Sequence, residues 1–294
     1  MRAARPRCLK AAVAQIATTP GDLQANFRKH LDMIAAARSA SVDVLLFPEL
    51  SLSGHSPKEN LLEIALHRDD PMLAELADAT GDMYVVAGFV EESEGAQFYN
   101  AAAAMRSGRV EHVHRKINLA TYGRLEDGKH FGSGQIVDTF QLAPSWRAGI
   151  LICADMWNPA LAYLAAIGGA TILLGPISSG LEAVGTEFDN PGGWDINTRF
   201  NALTYGMPVL IANRVGIEDG LTFWGGSRIV DPFGSPLAIA TGMTEQLVTA
   251  ELDYDVLRKA RYLLPTVRDS NRALVHREID RLHAREGQVD GKSS

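Results

Sequence analysis

Apolar and polar positions follow two rhythms along this chain. Largely apolar runs at residues 9–16, 42–47, 83–90, 149–152, 170–174 and 208–213 are four to eight residues long, which fits buried strands. Between several of them the period lengthens to that of a helix. Residues 22–40 place Leu23, Phe27, Leu31, Ile34 and Ala35 on one face. Shorter helices are predicted over 71–79, from about Ala160 to 167, and near 196–205. Residues 99–106 and 110–116 read as paired strands joined at Ser107-Gly108, and 227–230, 237–240 and 247–252 as the last strands. Strands alternating with helices argue for a layered α/β fold. No Pro/Ser-rich linker and no internal repeat divides the pattern. One domain over residues 1–252 is therefore expected. Residues 253–294 change character and are highly charged, either a solvated terminal helix or an arm packed on another subunit. The last eight residues are expected to be disordered.

The chain has 294 residues, 46% of them hydrophobic, and a net charge of −7. A large core is affordable. No basic stripe interleaved with aromatics is present, which argues against nucleic-acid binding. No apolar stretch approaches a membrane span of ~20 residues. The basic N-terminus, broken by Lys10 and Gln15, reads as a short tail before the first strand rather than a signal peptide. The two cysteines, Cys8 and Cys153, fit unpaired thiols and a cytoplasmic location. No His/Cys cluster has metal-ligand spacing, and neither a metal nor another cofactor is expected.

Candidate chemistry lies where apolar runs stop. Cys153 ends the run Gly149-Ile150-Leu151-Ile152 and precedes a turn into a helix. It is either a buried structural thiol or a nucleophile at a strand end. Leu45-Leu46-Phe47-Pro48 ends on Glu49, and the strand at 110–116 ends on Lys116. Each would be an ordinary surface residue alone. Together they suffice for acyl transfer. A carboxylate can take the thiol proton, and an ammonium can stabilise the thiolate and the oxyanion formed on a carbonyl.

Three motifs in this order resemble the nitrilase superfamily of carbon–nitrogen hydrolases: Phe47-Pro48-Glu49-Leu50, the stretch from His114 to Gly123 (HRKINLATYG), and that from Leu151 to Pro159 (LICADMWNP). Tyr99-Asn100, the segment IANRVG from Ile211 to Gly216, and GGSRIVDPFG from Gly225 to Gly234 add to the likeness. The resemblance implies an αββα sandwich that pairs into an αββα–αββα homodimer or a higher homo-oligomer. It implies Glu49 as general base, Lys116 as oxyanion stabiliser, Cys153 as nucleophile, and the backbone N–H of Ala154 in the oxyanion hole. It also implies a second acid beyond the lysine, which is Asp127 by its spacing to Phe131, or the adjacent Glu126. Substrate contacts are expected from Tyr122, Ala154, Trp157, Ser178 and Ser179, with His55, Trp194, Phe223 and Trp224 as further lining candidates. The nucleophile motif is similar to that of the glutaminase domain of glutamine-dependent NAD synthetases. These 294 residues carry no Gly-rich phosphate loop, and no synthetase domain is expected within them. The expected activity is hydrolysis of a small linear carboxamide to acid and ammonia through a cysteine thioester. Nitrile or N-carbamoyl hydrolysis and a catalytically idle binding or scaffold role are the alternatives.

Overall fold

The computed structural model describes residues 8–56 and 60–290, the side chains of 286–290 excepted. In chain order the elements begin with β1 (Cys8–Gln15), α1 (Leu23–Ser39), β2 (Val44–Leu46), α2 (Leu61–Ile64) and α3 (Pro71–Thr80). Next come β3 (Tyr84–Ser93), β4 (Gln97–Arg106), β5 (Arg109–Arg115), α4 (Asp127–His130), β6 (Thr139–Ala143) and β7 (Trp146–Ile150). A tight helical turn at Cys153–Trp157 leads into α5 (Pro159–Ile167), β8 (Ile172–Pro176), α6 (Asn190–Tyr205) and β9 (Val209–Ala212). The remainder is β10 (Val215–Glu218), β11 (Leu221–Trp224), β12 (Arg228–Val230), β13 (Pro236–Ile239), β14 (Gln246–Asp253), α7 (Tyr254–Leu263) and α8 (Arg272–Asp290).

Two six-stranded sheets result, ordered β14-β1-β2-β3-β4-β5 and β13-β12-β9-β8-β7-β6. Each has three parallel strands at its centre and antiparallel strands outside them. The alternation of β1 explains the layering. Leu9, Ala11 and Val13 face the second sheet, whereas Ala12 and Ala14 face the helices α1 and α3. Val44 and Leu46 join the inter-sheet core and Leu45 the helix side, so this short run has no polar face. Helix α1 is capped by Asp22, whose side chain accepts from Ala25 N at 2.9 Å. It buries Phe27, His30, Ile34 and Ala37 at helical spacing. Helices α5 and α6 cover the outer face of the second sheet through Leu161, Ala162, Ala165, Trp194 and Ala202. The expected αββα sandwich is the observed architecture.

The structure corrects several element boundaries. Helix α6 begins at Asn190, six residues before the predicted start. Asp189 caps it, and Pro191 is tolerated in the first turn, where its missing N–H is not needed. Gly193 belongs there because a Cβ would stand 2.9 Å from the Phe188 ring and 3.1 Å from that of Trp157. Strand β6 and the hairpin β10–β11 went unpredicted. Yet Asp219-Gly220, both at positive φ, is the two-residue turn that hairpins favour. The expected boundary at 252/253 falls at the end of β14. Beyond it, α7 buries Leu257 and Ala260, and Arg261 Nη2 donates to Ala170 O at 2.6 Å. Helix α8 continues through Asp290, into the stretch predicted to be disordered, and residues 291–294 lie outside the described residues. Among the described residues no helix is long and apolar enough to cross a membrane.

Candidate active site

The carboxyl ends of β2, β5, β7 and β8 open on the same side of the sandwich. There the chain places Glu49, Lys116, Cys153 and Ser178. The turn carrying Glu49 lies directly on β3. A Cβ at Gly88 would come within 2.3 Å of Leu50 N and 2.7 Å of Pro48 O. No larger residue fits without moving that turn. Leu50 itself is left-handed (φ 49°), and so is Cys153 (φ 45°), where the strand-to-helix turn reverses sharply. Such conformations persist only where neighbours enforce them.

Glu49 and Lys116 are both buried, at 3% and 2% exposure, although each alone reads as a surface residue. Lys116 Nζ lies 2.5 Å from Glu49 Oε1 and 2.6 Å from Asp127 Oδ2. Asn100 Nδ2 donates to the same Glu49 oxygen at 2.8 Å. Ala120 N donates to Asp127 Oδ2 at 3.2 Å. Burial works against the Lys116 ammonium, but Asp127 and then Glu49 overcome it and hold its pKa well above the ordinary value. Cys153 shifts the same way for a different reason. Burial, then the Glu49 carboxylate, push the thiol well above its usual range, and Lys116 offsets only part of this. The surroundings of Cys153 thus favour the protonated form of its thiol.

Of the two candidate second acids, the structure brings Asp127 to the lysine. Glu126 is about half exposed and pairs with Lys129 at 2.5 Å. The turn into α4 decides this, since Asp127 N donates to Ala120 O at 3.0 Å and directs the carboxylate inward.

Asp155 was not singled out from the sequence and is fully buried. Its Oδ1 accepts from Ile117 N (3.0 Å) and Asn118 N (2.7 Å), and its Oδ2 from Ile152 N (3.1 Å) and His114 Nε2 (3.2 Å). It thus ties the lysine loop to the cysteine turn. Its position two residues past the cysteine, in an otherwise apolar turn, was the available signal.

Around the thiol, His55 Nδ1 and the Ser178 hydroxyl are hydrogen-bonded at 2.9 Å, and the His55 ring meets Phe223 edge-on. Burial, aided by Arg214, lowers the His55 pKa to about 3, so it is no proton acceptor at neutral pH. Tyr122, about half exposed, has its pKa raised to about 12 by burial and by Cys153, and remains a phenol donor. Ser179 Oγ accepts from Trp194 Nε1 at 2.9 Å. Trp157 stands partly exposed between the Trp194 and Phe188 rings. Ala154 is buried directly after Cys153. Trp224 packs on the inter-sheet core. Both cysteines are free, Cys8 exposed and Cys153 buried. Among the described residues no group of three or more His, Cys, Asp or Glu could hold a metal ion.

Residues 10–262 match the carbon-nitrogen hydrolase family. The chain belongs to that family. An (R)-stereoselective amidase from a Pseudomonas species is 32% identical over 86% of this chain and 88% of its own length. A glutamine-dependent NAD(+) synthetase from Thermotoga maritima is 30% identical over 84% of this chain but only 42% of the synthetase. The chain thus spans less than half the length of the synthetases it matches. Among solved structures, an amidase from a Nesterenkonia species superposes with a TM-score of 0.76 at 25% identity, covering 92% of the hydrolase and 95% of that chain. A carbon-nitrogen hydrolase from Helicobacter pylori shares the fold, with a TM-score of 0.81 at 23% identity.

Proposed function

We propose that this hydrolase is an amidase that converts a small carboxamide to a carboxylic acid and ammonia through a thioester on Cys153. The observation that carries the reading is the buried Glu49–Lys116–Asp127 cluster, whose charges act on the buried Cys153 thiol. Glu49 accepts the Cys153 proton as Sγ attacks the amide carbonyl. Lys116 and the Ala154 N–H stabilise the oxyanion. Collapse of the tetrahedral adduct breaks the C–N bond, and the proton on Glu49 leaves with ammonia. Glu49 then takes a proton from water, whose oxygen attacks the thioester. Breakdown releases the acid and returns the proton to sulfur. Asp127 holds the lysine and helps order the amide or the water. The nine-tenths burial of Cys153 favours a small acyl group, bounded by Tyr122, Trp157, Ser178 and Ser179.

The apolar row Ile196, Phe200 and Leu203 on α6 is exposed by 71%, 48% and 49%. We assign it, with Leu164 of α5, to the dimer face. The free thiols fit a cytoplasmic setting.

The test is ammonia release across primary amides, glutamine included, beside nitriles and N-carbamoyl compounds. The reading expects turnover of one or more amides, an acyl adduct on Cys153 in intact-mass spectra, and none of either in Cys153→Ala. Turnover confined to nitriles or carbamoyl compounds, or surviving in Cys153→Ala, refutes it.

A further inference from the structure

Arg214 follows β9 and has a fully buried side chain. Its Nη1 donates to Glu218 Oε2 at 2.9 Å, its Nη2 reaches Leu50 O at 3.4 Å, and its guanidinium carbon lies 5.2 Å from the centre of the Phe223 ring. Its Nε is buried without a hydrogen-bond partner. Glu218, in turn, accepts from Ser56 N at 3.0 Å through its other oxygen. The pair therefore grips both ends of the turn after β2. One end is Leu50, next to Glu49. The other is Ser56, next to His55. The Leu50 carbonyl also accepts from Gly54 N at 2.9 Å and Ser53 N at 3.2 Å, so the left-handed Leu50 is held from three directions.

A buried ion pair is costly to desolvate and is weak grounds for a purely stabilising role. This one sits one residue from the carboxylate assigned as base, and Arg214 and Glu49 attract each other across the turn. Lys116 is shared between two acids, which leaves the cluster with an excess negative charge. We infer that Arg214 is a second cationic pole of this site, a positioning residue that fixes the Glu49 turn and holds positive charge beside its carboxylate, with Glu218 setting how much of that charge the site feels. The inference rests on the reading of Glu49 as base to Cys153.

The groups facing Glu49 are Lys116, Asn100, Arg214, Cys153 and Tyr122. Those facing Arg214 are Glu218, Glu49 and His55. Charge at Arg214 and charge at Glu218 thus have opposite expected effects on Glu49. A merely structural pair lacks that signature.

The experiment needs no substrate. In the full chain carrying Cys8→Ser, alkylation of Cys153 by iodoacetamide is followed by intact mass from pH 4 to 9. The acid limb reports ionisation of the base. Arg214→Met should move the limb to higher pH and slow alkylation about threefold or more on the acid side, as a half-unit shift requires. Glu218→Gln should move it to lower pH and speed alkylation by a similar factor. Arg214→Lys, which keeps charge but not the fork, should restore most of the limb. If Arg214→Met does not fold, the sign of Glu218→Gln decides alone. Shifts in the same direction, or none, overturn the inference. Glu49→Gln separates the claims. A limb lost in Glu49→Gln but unmoved by the Arg214 and Glu218 variants removes only the inference. A limb that survives Glu49→Gln removes the base assignment and the inference together.

Discussion

Replacing Asp155 tests whether Cys153 and Lys116 are positioned as one unit. In Asp155→Asn the side chain keeps its shape, but one oxygen becomes an NH2 donor facing N–H groups. If the amide nitrogen took the place of Oδ1, two backbone donors, Ile117 N and Asn118 N, would lose their acceptor. In place of Oδ2 it would face Ile152 N and His114 Nε2, and the imidazole can change tautomer and accept. The second arrangement wins, leaving Ile152 N–H as the orphan. Its desolvation and the loss of charge on the remaining bonds cost about 2–3 kcal/mol. The urea midpoint should fall by about 1 M. Asp155→Ala orphans three backbone donors and should cost about 5 kcal/mol or more, a large part of the stability of a typical domain. The kinetic effect is separate. A shift of the Lys116 loop by ~1 Å relative to Cys153 lowers kcat about 100-fold. The assays are urea unfolding by tryptophan fluorescence, and kcat on the amide identified as substrate. An Asp155→Asn protein with an unchanged midpoint and kcat within threefold of the parent would refute the idea that this carboxylate couples the two strand ends.

Three further outcomes are expected. Asp127→Asn removes a negative partner of Lys116 and should lower kcat about 10²-fold or more, whereas Glu126→Gln should stay within threefold; steady-state ammonia release compares them, and the reverse pattern would transfer the role to Glu126. Gly88→Ala should displace the Glu49 turn, because the nearest atoms are backbone, and should lower both the thermal midpoint and kcat; a variant as active as the parent would mean the turn is free to move. His30 is buried with its pKa lowered from 6.5 to about 4, chiefly by burial. Its folded pKa lies below its unfolded one, so its contribution is complete above pH 6.5 and is lost as pH falls from 6.5 toward 4, amounting to about 3 kcal/mol. Urea midpoints at pH 7 and pH 4.5 should differ more in the parent than in His30→Gln.

Two of the candidate strand ends could be read from the sequence because a fully buried strand must be apolar, so a polar residue that stops it is conspicuous. That holds for Glu49 and Cys153, whereas Lys116 follows the polar, partly exposed β5 and was legible through its motif. Their burial could not be read, because the Lys116–Glu49 contact joins residues 67 apart and exists only once the sheets form. Asp127 had its spacing to Phe131 in its favour, but the adjacent Glu126 stayed open until the turn into α4 directed Asp127 inward. Asp155 and Arg214 were within quoted motifs, yet a charge inside an apolar segment has no visible partner before folding. The β10–β11 hairpin did carry a local signal in Asp219-Gly220, whereas β6 is short, partly exposed and weakly patterned.

Glu49 and Lys116 hang from one sheet and Cys153 from the other, so on the proposed reading activity would report the docking of the two sheets. Neither sheet alone carries all three side chains. The first sheet is closed by β14, which pairs with β1 along its whole length from Cys8↔Asp253 to Gln15↔Gln246. A nascent chain therefore cannot seat that strand until residue 253 has left the ribosome. Until the two sheets dock, Cys153 lies apart from Glu49 and Lys116. On the proposed reading, a molecule whose sheets are still separate would carry an unactivated thiol, so the fold would act as its own safety catch.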